Sequence, residues 1–338
     1  MKRKILILTI CLISTAICAF AFTSCTKKVD GLELKYKSGG YVINALYDEN
    51  LTEIIIPASY DGKPVKEIGE SAFNGCSNLS SVIIPDSITK IGEGAFNGCS
   101  NLSSVIIPDS VTQICDFAFS GSGLSSITIP NSVTAISNQT FQGCRKLTSV
   151  TLPDTLTKIG ENAFRGCDKL ESITIPDGVT SIGSLAFCDC TELTSINLPE
   201  GLISIGKNAF QFCNSLTSIT IPNSITYLEE GVFDMCRNLT SIKLPANLTL
   251  IGTRTFYACD NLTDITIPNS VTYIGKNALA ACKSLTDITF QGTISQWNEI
   301  NKISDWDKNT VNYTVQCTDG KLDKHGNVIE LLQVKFNA

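Results

Sequence analysis

Residues 72–87 read AFNGCSNLSSVIIPDS, and residues 95–110 read the same sixteen residues again, 23 positions later. That spacing is the sharpest instance of a period running through most of the 338-residue chain. Aliphatic–Pro pairs end at Pro57, Pro85, Pro108, Pro130 and Pro153, then at every 23rd residue to Pro268. Leucines keep the step from Leu79 to Leu285, and phenylalanines from Phe73 to Phe256, with Leu279 in the next place. A fixed period of this length marks a solenoid in which each repeat is one coil.

Each unit reads approximately L-T-S-I-T-I-P-N-S-V-T-x-I-G-x-x-A-F-x-G-C. The stretch L-x-x-I-x-I is β-branched and alternating, which predicts a short strand. Proline ends it, because a ring without an N–H cannot continue a ladder. Asp or Asn followed by Ser, as at Asp86 and Asn223, turns the chain through side-chain bonds to nearby backbone. Val-Thr-x-Ile reads as a second extended piece, and Ala-Phe-x-Gly-Cys as a closing helical or tight turn. Stacked coils place each strand about 4.8 Å from its copy, forming a parallel sheet on one face. Leu, Ile, Val, Ala, Phe and Cys of each unit then point inward, where only neighbouring coils can bury them.

About ten such repeats occupy residues 51–290. The first has five extra residues around Tyr60–Pro64, and the third is one short at Gly121-Ser122-Gly123. Open ends of a stack need covers. Residues 32–44 alternate about Ser38-Gly39-Gly40 and read as a hairpin, giving an N-terminal cap over 25–50. Residues 291–338 lose the period and form a C-terminal cap and tail, with Trp297 and Trp306 as its core.

The chain opens with Lys2, Arg3 and Lys4 followed by an apolar run to Phe22, the layout of an export signal over residues 1–24. Phe22-Thr23-Ser24-Cys25 resembles a bacterial lipobox, which implies lipidation at Cys25 and a membrane anchor. Ordinary secretion and an uncleaved anchor are the alternatives. With a net charge of -6 and no basic run beyond the leader, the nucleic-acid binders are set aside.

The I-P step of Ile175-Pro176 and the closing turn Ala163-Phe164-Arg165-Gly166-Cys167 resemble the BspA-like leucine-rich repeats of bacterial surface proteins. Residues 290–297, FQGTISQW, look like the closing segment of that family. The resemblance implies a right-handed leucine-rich repeat solenoid with short turns or 3-10 pieces opposite the sheet. It also implies a surface-exposed lipoprotein of the bacterial envelope that adheres to host matrix proteins or to other cells. A structural or assembly lipoprotein without an adhesive role is the second reading.

Catalytic chemistry is sparse. The one histidine, His325, lies in a charged tail, and no spacing pairs a general acid with a base or matches a phosphate or dinucleotide motif. No enzyme activity, cofactor or small-molecule substrate is therefore expected. Nine cysteines keep the period: Cys76, Cys99, Cys144, Cys167, Cys190, Cys213, Cys236, Cys259 and Cys282. Parallel Cβ vectors suit a disulfide badly, paired metal spacings are absent, and a buried thiol acts as a small hydrophobe. They read as core filler, with the third unit dropping its cysteine along with the missing residue. Cys115, Cys188 and Cys317 fall outside the ladder.

Binding is expected on outward strand positions. One column contains Ser149, Ser172, Ser195, Ser218 and Ser241, and its neighbour Thr151, Thr174, Asn197, Thr220 and Lys243. Both columns begin earlier, and the second carries Ile83 and Ile106 there. These hydroxyls either satisfy one another or form a nearly uncharged docking surface for a protein or glycan. Breaks in the pattern add Tyr227, Leu250 and Tyr273, which line up on adjacent coils, and Phe212 and Met235, which replace the glycine before the ladder cysteine. Tyr227, Leu250 and Tyr273 read equally as a partner stripe or as packing for the C-terminal cap.

Overall fold

In a computed structural model the structure describes residues 26–48 and 50–331. Cys25 and the leader lie outside the described residues. The described residues begin as an antiparallel meander of Thr26–Val29, Leu32–Lys37 and Gly40–Leu46. Its second turn places Ser38 and Gly39 at φ 49 and 84, the left-handed geometry that matches the twist of a two-residue hairpin. Gly40–Leu46 then pairs in parallel with Lys63–Ile68 and so seats the hairpin on the first coil.

From there the chain winds as a β-solenoid of about 12 turns. Each regular coil carries a three-residue strand such as Ser172–Thr174 and a two-residue strand such as Ser181–Ile182. The second extended piece is thus a ladder of its own, parallel and in register from Ala135–Ile136 through Ser204–Ile205 and from Tyr227–Leu228 through Asn301–Lys302. The first ladder is segmented: Ser126–Thr128 pairs with Ser149–Thr151, Ser172–Thr174 with Ser195–Asn197, and Ser218–Thr220 with Ser241–Lys243. Among the described residues the single helix is Ile294–Glu299, in the C-terminal cap, and the A-F-x-G-C stretches are turns.

That closing turn joins coil to coil. Alternate amides reach the next coil: Ser71 N to Glu93 O, Phe73 N to Ala95 O and Gly75 N to Asn97 O, at 2.7–2.8 Å. The amides between them close local turns, as Asn74 N does to Ser71 O, so the backbone is satisfied without a helix. Two left-handed residues four apart bend each turn; Leu185 (φ 57) and Asp189 (φ 60) do so around Phe187. Asn, Asp and Gly recur at these two places because they adopt this conformation at least cost.

Inside the turn the phenylalanines from Phe73 to Phe256 stack with centroids 5.0–5.8 Å apart and planes within 10°. All are fully buried, each contributing about 1.5–3 kcal/mol by area. The ladder cysteines beside them are free and buried, and they do more than fill space. From Cys99 to Cys282, each Sγ donates to the carbonyl of the preceding coil's phenylalanine at 3.0–3.3 Å. The third unit does not drop this position. Ser122 stands in it, 3% exposed and 3.3 Å from Cys144 Sγ, and the missing residue is absorbed at Gly123, where a Cβ would strike the Ser100 carbonyl.

The C-terminal segment also departs from expectation, because its first part is a further coil. Asn301–Lys302 pairs with Tyr273–Ile274, and Thr314–Gln316 pairs with the strand from Asp287. Leu279 N bonds to Trp306 O at 2.8 Å, and Thr310 Oγ1 donates to Leu279 O at 2.5 Å, in the place of a ladder thiol. Trp297 is buried, and Trp306 packs edge-on to it at 6.0 Å, as cap core. At the other end Leu46 N bonds to Ala72 O, as a preceding coil's phenylalanine would.

The ladder thiol as donor makes a prediction that a filler role does not. Cys213→Ser should be milder than Cys213→Ala by about 1 kcal/mol in urea unfolding, because serine keeps a donor for Phe187 O. A filler position would give the opposite order, since serine would bury an unpaired hydroxyl.

Candidate partner-binding faces

The first-ladder strands present their residues by simple alternation. Ile173 is buried, while Ser172 and Thr174 on either side are exposed. Ser149, Thr151, Ser195, Asn197, Ser218, Thr220, Ser241 and Lys243 are likewise exposed, and paired strands hold them in register. The hydroxyls of these two columns make no hydrogen bond among the described residues. They do not satisfy one another. The residues just before the strands behave differently: Thr148, Thr194 and Thr240 each donate to the preceding coil's carbonyl at 3.0–3.1 Å. Thr157, Thr180 and Thr249 do the same near the second ladder. Flanking hydroxyls therefore tie coils together, and the two strand columns are left for solvent or a ligand.

Toward the N-terminal end the second column turns apolar. Ile55, Ile83 and Ile106 are 70%, 56% and 85% exposed, the largest outward-facing aliphatic run on this face. Ile55 escaped the sequence reading because the five inserted residues displaced it from the 23-residue step.

The remaining candidates lie on other parts of the coil, so the residues singled out by sequence do not converge on one site. Tyr227, Leu250 and Tyr273 stack in register on the second ladder. Tyr227 is 40% exposed, the other two are half-buried, and Asn301 of the C-terminal coil follows in the same column. Phe212 and Met235 sit on the closing turn at φ 60 and 58, where glycine stands in earlier coils. A side chain in that conformation costs about 1 kcal/mol relative to glycine.

Next to them is a polar network that no sequence spacing announced. Asp234 is buried; Gln211 Nε2 donates to its Oδ2 at 2.8 Å, and the Arg254 guanidinium donates to both oxygens at 3.0–3.2 Å. Arg254 in turn lies 3.8 Å over the Tyr257 ring. Burial pushes the Asp234 carboxyl upward, while the bonds from Gln211 and Arg254 draw it down. The network links three successive closing turns.

Buried thiols are held protonated in this setting. Burial pushes Cys99 and Cys188 up to about 12, which keeps them protonated at neutral pH. Cys115 is half-exposed and occupies the second-ladder column held by Gly92 and Gly160 in other coils. Among the described residues no group of three His, Cys, Asp or Glu is placed to hold a metal ion. His325 is exposed, with its backbone N–H bonded to Asp323 Oδ1.

Free and bonded hydroxyls should separate in mutagenesis. Ser172→Ala, Ser195→Ala and Ser218→Ala should each shift unfolding stability by no more than about 0.5 kcal/mol. Thr194→Val and Thr240→Val should each cost about 0.5–1 kcal/mol, read from urea midpoints.

No curated protein matches the chain. Its fold is similar to a leucine-rich repeat protein of Bacteroides ovatus, at 25% identity over 80% of this chain and 91% of that one, with a TM-score of 0.53. The pneumococcal vaccine antigen PcpA is similar in fold at 18% identity, over 85% and 88%, with a TM-score of 0.60. A leucine-rich repeat protein of Eubacterium ventriosum matches at 19% identity, over 83% and 93%, with a TM-score of 0.51. A family model, the BspA type leucine rich repeat region, matches in 6 copies over residues 66–194 and 182–301. The chain belongs to the BspA-type leucine-rich repeat family.

Proposed function

We propose that the chain is a non-enzymatic binding protein, held by lipid at Cys25 on the outside of a bacterial cell, that docks a protein or glycan through its first-ladder face. The observation that carries this reading is the pair of hydroxyl columns left unbonded beside flanking columns in which Thr148, Thr194 and Thr240 bond to the preceding coil. A face that repeats donors and acceptors at the coil spacing offers a ligand many equal contacts, which suits an extended polymer or a broad protein surface. The export signal and the lipobox-like Cys25 support the location, and the family resemblance supports an adhesive role toward host matrix or other cells.

The chain from Thr26 onward, immobilised, should retain a component of host matrix or bacterial surface extract. Ser172→Arg with Ser218→Arg should reduce that capture about tenfold or more while leaving the unfolding midpoint in place. Unchanged capture would move the binding site off this face. On whole cells, external protease should remove the chain, and Cys25→Ala should shift it from the membrane fraction to the soluble one. A chain that resists shaving on intact cells would favour an inward-facing assembly role.

A further inference from the structure

The coil interfaces are unequal, and one is far weaker than the rest. Between the coils bearing Ser172 and Ser195, both ladders pair, and Thr194 N, Ile203 N and Gly206 N bond to Glu171 O, Thr180 O and Ile182 O. At the next interface neither ladder pairs: Ser195–Asn197 is unbonded to Ser218–Thr220, and Ser204–Ile205 to Tyr227–Leu228. Thr226 Oγ1, unlike that of Thr180, Thr249 or Thr272, makes no bond to the preceding coil. What remains is the closing turn, where Asn208 N, Phe210 N and Phe212 N reach Glu230 O, Val232 O and Asp234 O, each at 2.9 Å. Cys236 Sγ to Phe210 O, Gln211 to Asp234 and the Lys207–Glu230 ion pair at 3.6 Å add to that same side, and Ser224 Oγ to Leu202 O is the one bond at the opposite corner.

The residue that follows the second-ladder strand also differs here. The residue after the second-ladder isoleucine or leucine is glycine at Gly160, Gly183, Gly206, Gly252 and Gly275, and every one of these interfaces is paired. There is no room for a Cβ: at Gly252 it would lie 2.7 Å from the backbone of the coil below, and at Gly183 2.6 Å. Glu229 stands in this column, but so do Cys115 and Ile303, whose amides bond to Ile91 O and Ile274 O in paired ladders, so a side chain here does not by itself open an interface. The other second-ladder gap, between Gln113–Ile114 and Ala135–Ile136, falls at Ser137, another non-glycine in the column. Neither ladder pairs there as strands, but Ser125 N and Oγ bond to Ser103 O, Ser137 Oγ to Ile114 O and Asn138 N to Asp116 Oδ1, bonds that have no counterpart between the Ser195 and Ser218 coils.

We propose that the interface between the Ser195 and Ser218 coils is a hinge, about which the two stacks tilt with the closing turn as the fixed edge. The Phe210–Phe233 stack, at 5.6 Å with planes 4° apart, keeps the core continuous at that edge. Tilting changes the spacing between Ser195/Asn197 and Ser218/Thr220, and so the pitch of the hydroxyl columns at their middle. It also widens the second-ladder face beside Ile203 and Tyr227, which are 64% and 40% exposed.

Residue-resolved hydrogen exchange on the chain from Thr26 onward, which retains every described residue, tests this. The Thr226 and Glu229 amides should exchange about tenfold or more faster than Thr249 and Gly252, their bonded counterparts one coil on. The Phe210 and Phe212 amides, bonded across the closing turn, should stay protected. Equal protection at Thr226 and Thr249, or at Glu229 and Gly252, would overturn the hinge.

Discussion

The closing turn is the constraint on which the rest of the molecule depends. Half of its amides, and the thiol or hydroxyl that follows, can be satisfied only by another coil. A single coil would leave those donors and its aromatic ring exposed, so the stack forms as a whole and its ends must imitate a coil. The N-terminal hairpin does so with the Leu46 amide, and the C-terminal segment with Trp306 and Thr310. Every interface has this turn, and only some have both ladders. Stability and adaptability are therefore placed on different sides of the same coil.

The period, the first strand and its exposed columns were legible because each follows from backbone alternation and chain length alone. Ile83 and Ile106 were expected outside, and Val82 and Ile84 inside, and that is where they lie. The cysteine was legible as buried and free but not as a donor. Its acceptor is a carbonyl 26 residues earlier, which no side-chain pattern reveals. Thr310 was the available signal: where the last coil lacks the thiol, a hydroxyl donor stands in its place. The final coil was hidden because Trp306 and Asp307 replace the Ala-Phe signature and the step lengthens.

The candidate site was only partly legible. Sequence placed the Ser and Thr columns on one face but could not tell engaged hydroxyls from free ones, since Thr194 and Ser195 look alike on paper. Only the direction of the side chain toward or away from the coil below distinguishes them. Tyr227 and Phe212 were singled out as breaks in two different columns, and they lie on the second ladder and on the closing turn respectively. The Gln211, Asp234 and Arg254 network joins residues whose separations match no motif, because it crosses coils rather than following the chain.

The most direct test of the coil-to-coil account is maleimide labelling of the native chain, without reductant, read by intact and peptide mass. Among the described cysteines, fast labelling should be confined to half-exposed Cys115. The ladder cysteines from Cys99 to Cys282 should react only after denaturation, still without reductant. Ladder thiols that label in the folded chain, or that stay unreactive in denaturant because they are paired in disulfides, would contradict a stack closed by buried thiol donors.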